Sequence, residues 1–274
     1  MTDVFCGSTK LTHKHINSLN ENTSGIKLFK IQLSSYYDLV PKLIKYLNAL
    51  ELQRAQKYHF EKDSNQFIIC RTLLKFVLAQ HTGLNIAQIN IEIGTNKKPY
   101  LSSNQTICFN VSHAKDCAII AVSTHAVGID LEELNTNFNF SEILTSVFSN
   151  FEIEFILNAD DKTYAFYKLW TRKEAIVKAT GQGISDNLTH IPAISGHHTV
   201  NSKLVDGFKD LKVLSFSLNE SYVASIALSG KKSNIDTLLI YNLPKSIKEL
   251  LFFSGAKKKL LDTYKTTSKN GFKN

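Results

Sequence analysis

Trp170-Thr-Arg-Lys-Glu-Ala-Ile-Val-Lys178, closed by Gly181-Gln-Gly183, decides how the rest of the chain is read. Phe166, Leu169, Trp170, Ile176 and Val177 recur at helical spacing, which predicts one helix from about Lys162 to Thr180. On it Glu174 and Lys178 stand one turn apart at the flank of the apolar stripe, with Tyr167 and Thr171 beside them. Lys173 falls inside the stripe, where an ammonium needs a partner or a ligand. A Glu-to-Lys pair at this spacing is most often a solvated helix face. A second acidic motif upstream is what gives it another meaning.

The 274 residues, 43% hydrophobic and 20% charged, are enough for a full core in one large or two modest domains. No apolar run reaches transmembrane length, and the first ten residues lack the apolar segment of a secretory signal. Cys6, Cys70, Cys108 and Cys117 lie far apart without a Cys-x-x-Cys pair, which argues against a zinc site or a disulfide framework. The expected setting is cytoplasmic, without stable membrane insertion. The net charge of +8 is local: residues 245–274 hold eight lysines against Glu249 and Asp262, so six of the eight charges sit there. The basic balance therefore does not by itself argue for a nucleic-acid groove.

Residues 1–24 are polar and unpatterned and read as a loose lead-in. A strand is predicted over Ile26 to Leu33, and short helices around Leu43, Ile44, Leu47 and Leu50. A longer helix, capped at Asp63 or Ser64, is expected to stop near Gly83. Ile89 to Ile93 reads as a strand, and Ile107 to His113 with Asp116 to Val122 as a hairpin turning at Ala114-Lys115. Val127 to Glu132 is a third strand, and helical segments follow around 140–147 and 151–157. Residues 190–210 read as loop-rich, and a hairpin of 211–217 and 222–229 closes the folded part. Beyond it, 245–264 carries an amphipathic pattern suited to a helix packed back on the body.

The halves repeat. A long helix ending in Thr82-Gly83 is echoed at Thr180-Gly181, and a hairpin ending Ile119-Ile-Ala-Val-Ser123 at Ser225-Ile-Ala-Leu-Ser229, with offsets of 98 and 106 residues. The order of the matches points to a duplicated α+β unit. The expectation is two similar α+β lobes related as a pseudo-twofold pair, 1–125 and 126–230, with the active site between them and a basic extension over 231–274.

In Val127-Gly-Ile-Asp-Leu-Glu132 the apolar residues share one strand face, and Gly128, Asp130 and Glu132 share the other. Adjacent carboxylates repel unless a cation pairs them, and an all-oxygen set suits Mg²⁺ better than zinc. A glycine inside a strand marks a close approach by a ligand or a backbone. If the helix crosses the strand, Asp130, Glu132 and Glu174 make one metal site. Lys178, His113, Lys97 and Lys98 then surround a polyphosphate, and Asn110 and Ser112 add polar groups at a strand end.

Taken in order, Lys97-Lys-Pro99, Phe109-Asn-Val-Ser-His113, Val127-Gly-Ile-Asp-Leu-Glu132 and Phe148-Ser-Asn-Phe-Glu152 lead to Phe166-Tyr-Lys-Leu-Trp-Thr-Arg-Lys-Glu-Ala-Ile-Val-Lys-Ala-Thr-Gly181. This series resembles the two-lobed, surfactin-type 4′-phosphopantetheinyl transferases over roughly residues 26 to 230. The family's usual Gly-Lys-Pro is Lys97-Lys98-Pro99 here.

The resemblance implies an enzyme that moves the phosphopantetheine arm of coenzyme A to a serine of an acyl- or peptidyl-carrier protein and releases 3′,5′-ADP. It implies Mg²⁺ on Asp130, Glu132 and Glu174, with Glu174 also taking the serine proton and Lys178 steadying the pyrophosphate. Ser112, His113, Lys97 and Lys98 would grip the phosphates of coenzyme A, and Arg71 and Lys62 match basic positions of the first lobe. Asn110 belongs to the same binding set. An acidic carrier protein as transient partner, a monomer, and no nucleic-acid partner complete the expectation. The competing classes are a basic nucleic-acid or anionic-surface binder, prompted by the tail, and an inactive relative that binds coenzyme A.

Overall fold

The computed structural model of the chain describes residues 1–21, 25–94, 96–182, 188–230 and 235–255. Strands β1 (Thr2–Ser8), β2 (Lys10–Lys14) and β3 (Ile26–Gln32) precede helices α1 (Val40–Leu43), α2 (Ala49–Gln56) and α3 (Glu61–Thr82). Strands β4 (Ile91–Ile93), β5 (Pro99–Leu101), β6 (Cys108–Ala114), β7 (Cys117–Ser123) and β8 (Val127–Glu133) follow. Helices α4 (Leu144–Val147), α5 (Asn150–Leu157) and α6 (Lys162–Thr180) lead into β9 (Gly196–Val200), β10 (Asp210–Asn219), β11 (Tyr222–Ser229), β12 (Thr237–Asn242) and α7 (Ile247–Phe253). No helix among the described residues is long and apolar enough to cross a membrane.

The fold is mixed α+β, with two five-stranded sheets ordered β8-β11-β10-β1-β9 and β2-β12-β3-β7-β6. The repeat read in the sequence is visible as topology. β3 lies beside the second strand of the β6-β7 hairpin, as β8 lies beside the second strand of β10-β11. In both copies the long helix between them ends on a left-handed glycine: Gly83 at φ +67° donates to Ala79, and Gly181 at φ +77° donates to Val177.

Two compact units are interleaved in the chain. One comprises Met1–Lys30, Glu92–Tyr100 and Gln105–Asn242, and holds both sheets (save the last residues of β3) and α4 to α6. The other comprises Ile31–Ile91, Leu101–Asn104 and the chain from Leu243, and carries α1 to α3 and α7. In this helical unit Glu51 of α2 accepts from Lys75 of α3 at 3.0 Å, and the Tyr36 hydroxyl donates to the Leu243 carbonyl at 3.0 Å. Leu250 of α7 is buried, which seats this helix.

In the sheet unit the period-two alternation of the strands builds two apolar layers. Val127, Ile129 and Leu131 of β8, with Ile226 of β11 and Phe216 of β10, join Leu28, Ile119 and Ile240 of the other sheet in one core. The opposite face of β10 and β11, through Val213, Val223 and Ala227, packs on α6 with Val4 of β1. The face of β8 that holds Gly128, Asp130 and Glu132 is thereby turned toward α6.

Three expectations are corrected. Residues 2–8 are not a lead-in but an inner strand, paired parallel with β10 and antiparallel with β9, with Val4 and Cys6 fully buried. Within the loop-rich 190–210, the short strand β9 covers the outer edge of β1. The hairpin does not end the fold, since β12 pairs parallel with β2 and β3. The α3 cap at Asp63 or Ser64 also moves: the helix begins at Glu61, and the Ser64 hydroxyl donates to the Ala55 carbonyl. Gly183 and the lysines from Lys257 onward lie outside the described residues.

Candidate active site

The close approach marked by Gly128 is made by backbone. A Cβ on Gly128 would lie 2.1 Å from the Ala175 carbonyl oxygen and 2.3 Å from the Ala179 nitrogen. With only a hydrogen there, α6 lies directly on β8. The helix runs against the strand, so Lys178 meets Asp130 and Trp170 meets Glu132, with Glu174 one turn from each.

The Lys178 ammonium donates to Asp130 Oδ1 at 2.5 Å and to the Ser112 hydroxyl at 3.2 Å. Ser112 Oγ donates to the same Oδ1 at 3.1 Å, and accepts the backbone N–H of Leu131 at 3.2 Å. Asn110 accepts the N–H of Ile129 at 2.9 Å. β8 is an edge strand, so these two β6 side chains satisfy N–H groups that no neighbouring strand takes. Asn110 is thus occupied with the strand edge, whereas Ser112 serves both the edge and the acid–lysine pair.

Among the described residues, two oxygens on this seam have no partner. Asp130 Oδ2 and Glu174 Oε1 are buried and accept no hydrogen bond. Burial, then repulsion from Asp130, raises the Glu132 pKa to about 7, against the hydrogen bond from Trp170 and the charge of Lys178. Burial and Asp130 raise Glu174 as well, opposed by Lys178. Acids this crowded and this short of donors are suited to a hard divalent cation. Among the described residues no group of three or more His, Cys, Asp and Glu side chains is gathered tightly enough to hold an ion as it stands. The donors that fit are Asp130 and Glu174 through their unpartnered oxygens, with Glu132 next along the strand.

A raised acid pKa has a defined sign for stability. Glu132 keeps its proton in the folded state between about pH 4.5 and 7, where an unfolded glutamate has lost it. Its contribution is present below that window and is lost as pH rises through it. The metal-free protein should therefore melt at a lower temperature at pH 8 than at pH 5.5, and Glu132→Gln should flatten that difference in a thermal melt. An unchanged slope in the variant would place the pH dependence elsewhere.

The lysine loop divides. The Lys98 ammonium donates to the carbonyls of Ala179 at 2.6 Å and Val127 at 3.3 Å, and burial lowers its pKa. It tethers the carboxyl end of α6. Lys97 is exposed at φ +59°, the left-handed region in which the family's usual glycine carries no penalty. Lys97→Gly should relieve roughly 1 kcal/mol of strain but add unfolded-state entropy, a net gain of about 0.5 kcal/mol. A lower melting temperature in this variant would contradict that balance.

His113 is exposed at the end of β6. Arg71 and Lys62 both lie on α3 in the helical unit: Lys62 is exposed in its first turn, and Arg71 stands 3.8 Å from Glu51 beside Lys75. Lys173, which its place in the apolar stripe obliges to find a partner, is paired with Glu152 at 2.9 Å and donates to the carbonyls of Leu188 and Ile191. Glu152 also accepts Ala193 N–H at 2.9 Å and closes the cap of α5 with Ser149. Sequence reasoning missed Trp170, whose indole N–H donates to Glu132 at 3.1 Å, and Arg172. Fully buried, Arg172 donates to Ser215, Ala193 and Gly7, each at 2.7 Å. A polar tip on an apolar helix stripe was the available signal for both.

Crowded carboxylates beside a lysine, on one helix–strand seam, can hold a divalent cation and set a positive charge next to an anionic substrate. Residues 126–227 match the family model described as the 4′-phosphopantetheinyl transferase superfamily, and residues 37–125 that of the 4′-phosphopantetheinyl transferase N-terminal region. The 4′-phosphopantetheinyl transferase HetI of Nostoc sp. is 30% identical over 166 residues, covering 58% of this chain and 70% of the relative. Psf-1 of Bacillus pumilus is 28% identical over 209 residues, 73% of this chain and 89% of the relative. Sfp of Bacillus subtilis strain 168 is 25% identical over 146 residues, 53% and 64% of the two chains. The chain belongs to the 4′-phosphopantetheinyl transferase family, a class of transferase enzymes.

Proposed function

We propose that the chain transfers the 4′-phosphopantetheine arm of coenzyme A to a serine of an acyl- or peptidyl-carrier protein and releases 3′,5′-ADP. The observation that carries this is the Asp130–Ser112–Lys178 cluster under Glu174, with Asp130 Oδ2 and Glu174 Oε1 buried and unpartnered. Asp130, Glu174 and Glu132 would hold Mg²⁺, which when bound supplies Lewis-acid neutralisation of the pyrophosphate oxygens.

The chain's own groups do the rest. Glu174, whose pKa is raised by burial, accepts the proton of the carrier serine, directly or through water. The serine oxygen forms a bond to the β-phosphorus while the bridging P–O bond breaks and its electron pair leaves on 3′,5′-ADP. Lys178 leaves Asp130 for the pyrophosphate and offsets the charge on the departing oxygen. Ser112, His113, Lys97 and Lys98 contact phosphate groups of coenzyme A, with Asn110, Arg71 and Lys62 as further candidates for that binding set. The two family matches meet at 125 and 126, where the proposed lobes 1–125 and 126–230 divide, while β1 and, from the proposed 231–274 extension, β12 cross that boundary to join the other lobe's sheet. The enzyme acts as a cytoplasmic monomer, with an acidic carrier as transient partner.

The test is incubation with coenzyme A, Mg²⁺ and a panel of apo carrier proteins, read by mass. The expected result is a gain of one phosphopantetheine arm; no gain on any acyl or peptidyl carrier would remove the proposal. The nucleic-acid reading rests on the basic tail, most of whose lysines lie outside the described residues.

A further inference from the structure

Trp170 is the chain's only tryptophan, and the transfer chemistry above makes no use of it. Its ring lies nearly parallel to Phe166, with centroids 6.3 Å apart at 18°, and Phe166 stacks in turn on Phe140 at 4.6 Å and 10°. This three-ring stack fixes the plane of the indole, and hence the direction of its one N–H. That N–H donates to Glu132 Oε1 at 3.1 Å, and among the described residues it is the only hydrogen-bond donor on this carboxylate. A phenylalanine would fill the same place in the stack without offering a donor. The stack therefore explains an aromatic residue at 170, and the hydrogen bond explains why it is tryptophan.

Glu132 is the acid that most needs such a hold. Asp130 is clamped by Lys178 and Ser112 and is 5% exposed, and Glu174 is buried on the helix. Glu132 is only partly buried near the end of β8, beside two other acids that repel it. Nothing else described keeps it from turning away. We propose that Trp170 is a positioning residue, whose indole N–H holds Glu132 beside Asp130 and Glu174 as the third oxygen donor for the divalent ion. The inference rests on the function proposed above. It assigns Trp170 no contact with substrate and makes its emission a reporter of the ion.

The experiment has two arms, both on the full chain with coenzyme A present. In the first, Trp170→Phe is assayed for carrier modification over a range of Mg²⁺. Loss of a hydrogen bond behind a metal ligand typically costs 10- to 100-fold in metal affinity. The expected result is a rise of about tenfold or more in the Mg²⁺ needed for half-maximal rate, with kcat at saturating Mg²⁺ within about threefold of wild type. A merely structural role would lower the melting temperature without moving the Mg²⁺ requirement. In the second arm, Mn²⁺ is titrated into the wild-type protein and into Asp130→Ala. Saturable quenching of the tryptophan emission is expected in the first and its loss in the second.

An unchanged Mg²⁺ requirement in Trp170→Phe, while transfer still needs the ion, overturns the positioning role and leaves the enzyme assignment standing. Should Trp170→Phe fail to fold, the Mn²⁺ arm decides: emission indifferent to Mn²⁺ in an enzyme that Mn²⁺ activates overturns the inference. Transfer that needs no divalent ion at all removes the metal reading beneath it, and this inference with it.

Discussion

Gly128→Ala is expected to unseat the active site while changing no functional group. The added Cβ would stand 2.1 Å from the Ala175 carbonyl oxygen and 2.3 Å from the Ala179 nitrogen. Both are helix backbone, so no rotamer change can relieve the clash, and α6 must move off β8 as a body. Overpacking of this severity costs about 3 kcal/mol, which in a chain of this size lowers the melting temperature by roughly 6–12 °C. The effect on turnover should be larger. Lys178 and Glu174 ride on that helix opposite Asp130, and an ångström of misplacement costs about a hundredfold in rate. Gly83→Ala is the matching control. Gly83 ends the long helix α3 at positive φ, unlike the strand glycine Gly128, and a Cβ there meets nothing within 4 Å. Its cost is limited to about 1–2 kcal/mol of backbone strain, read as a melt. Equal losses in the two variants would mean that helix–strand apposition is not what Gly128 provides.

The same glycine shows how much the sequence could disclose. The limits of α6 were legible because an apolar stripe at helical spacing ends on a glycine, and the structure has the helix over Lys162–Thr180 with Gly181 left-handed. The alternation of β8 put Gly128, Asp130 and Glu132 on one face, and the register with α6 follows from the missing side chain. Long-range partners were not legible. β1 offers only Val4, Phe5 and Cys6 as apolar signal, and its neighbours are β9 and β10, nearly two hundred residues away or more. Local periodicity carries no trace of such pairing. The contact of Lys98 was hidden in the same way: only the fold brings the Ala179 carbonyl to its ammonium across 81 residues. Lys173 is the converse case, since its place in an apolar stripe demanded a partner and Glu152 supplies it.

Glu174→Gln should separate stability from activity in opposite directions. The glutamate is buried, its Oε1 accepts no hydrogen bond, and both burial and Asp130 disfavour its charge. A glutamine of the same shape removes that charge from beside Asp130, so the metal-free variant should melt at the wild-type temperature or above at pH 8. Transfer should collapse, because an amide neither accepts the serine proton nor supplies an anionic oxygen to a divalent ion. Withdrawing one such group removes several kcal/mol of transition-state stabilisation, on the order of a thousandfold in rate. Asp130→Asn should lose activity too, but with a different stability signature, since the Lys178 ammonium then loses the anionic charge of its 2.5 Å partner and is left with neutral acceptors, the amide oxygen and Ser112. Its melting temperature should fall below that of Glu174→Gln. If Glu174→Gln labelled an apo carrier at the wild-type rate, Glu174 would be neither base nor ligand, and the unpartnered oxygen would be a feature of packing alone.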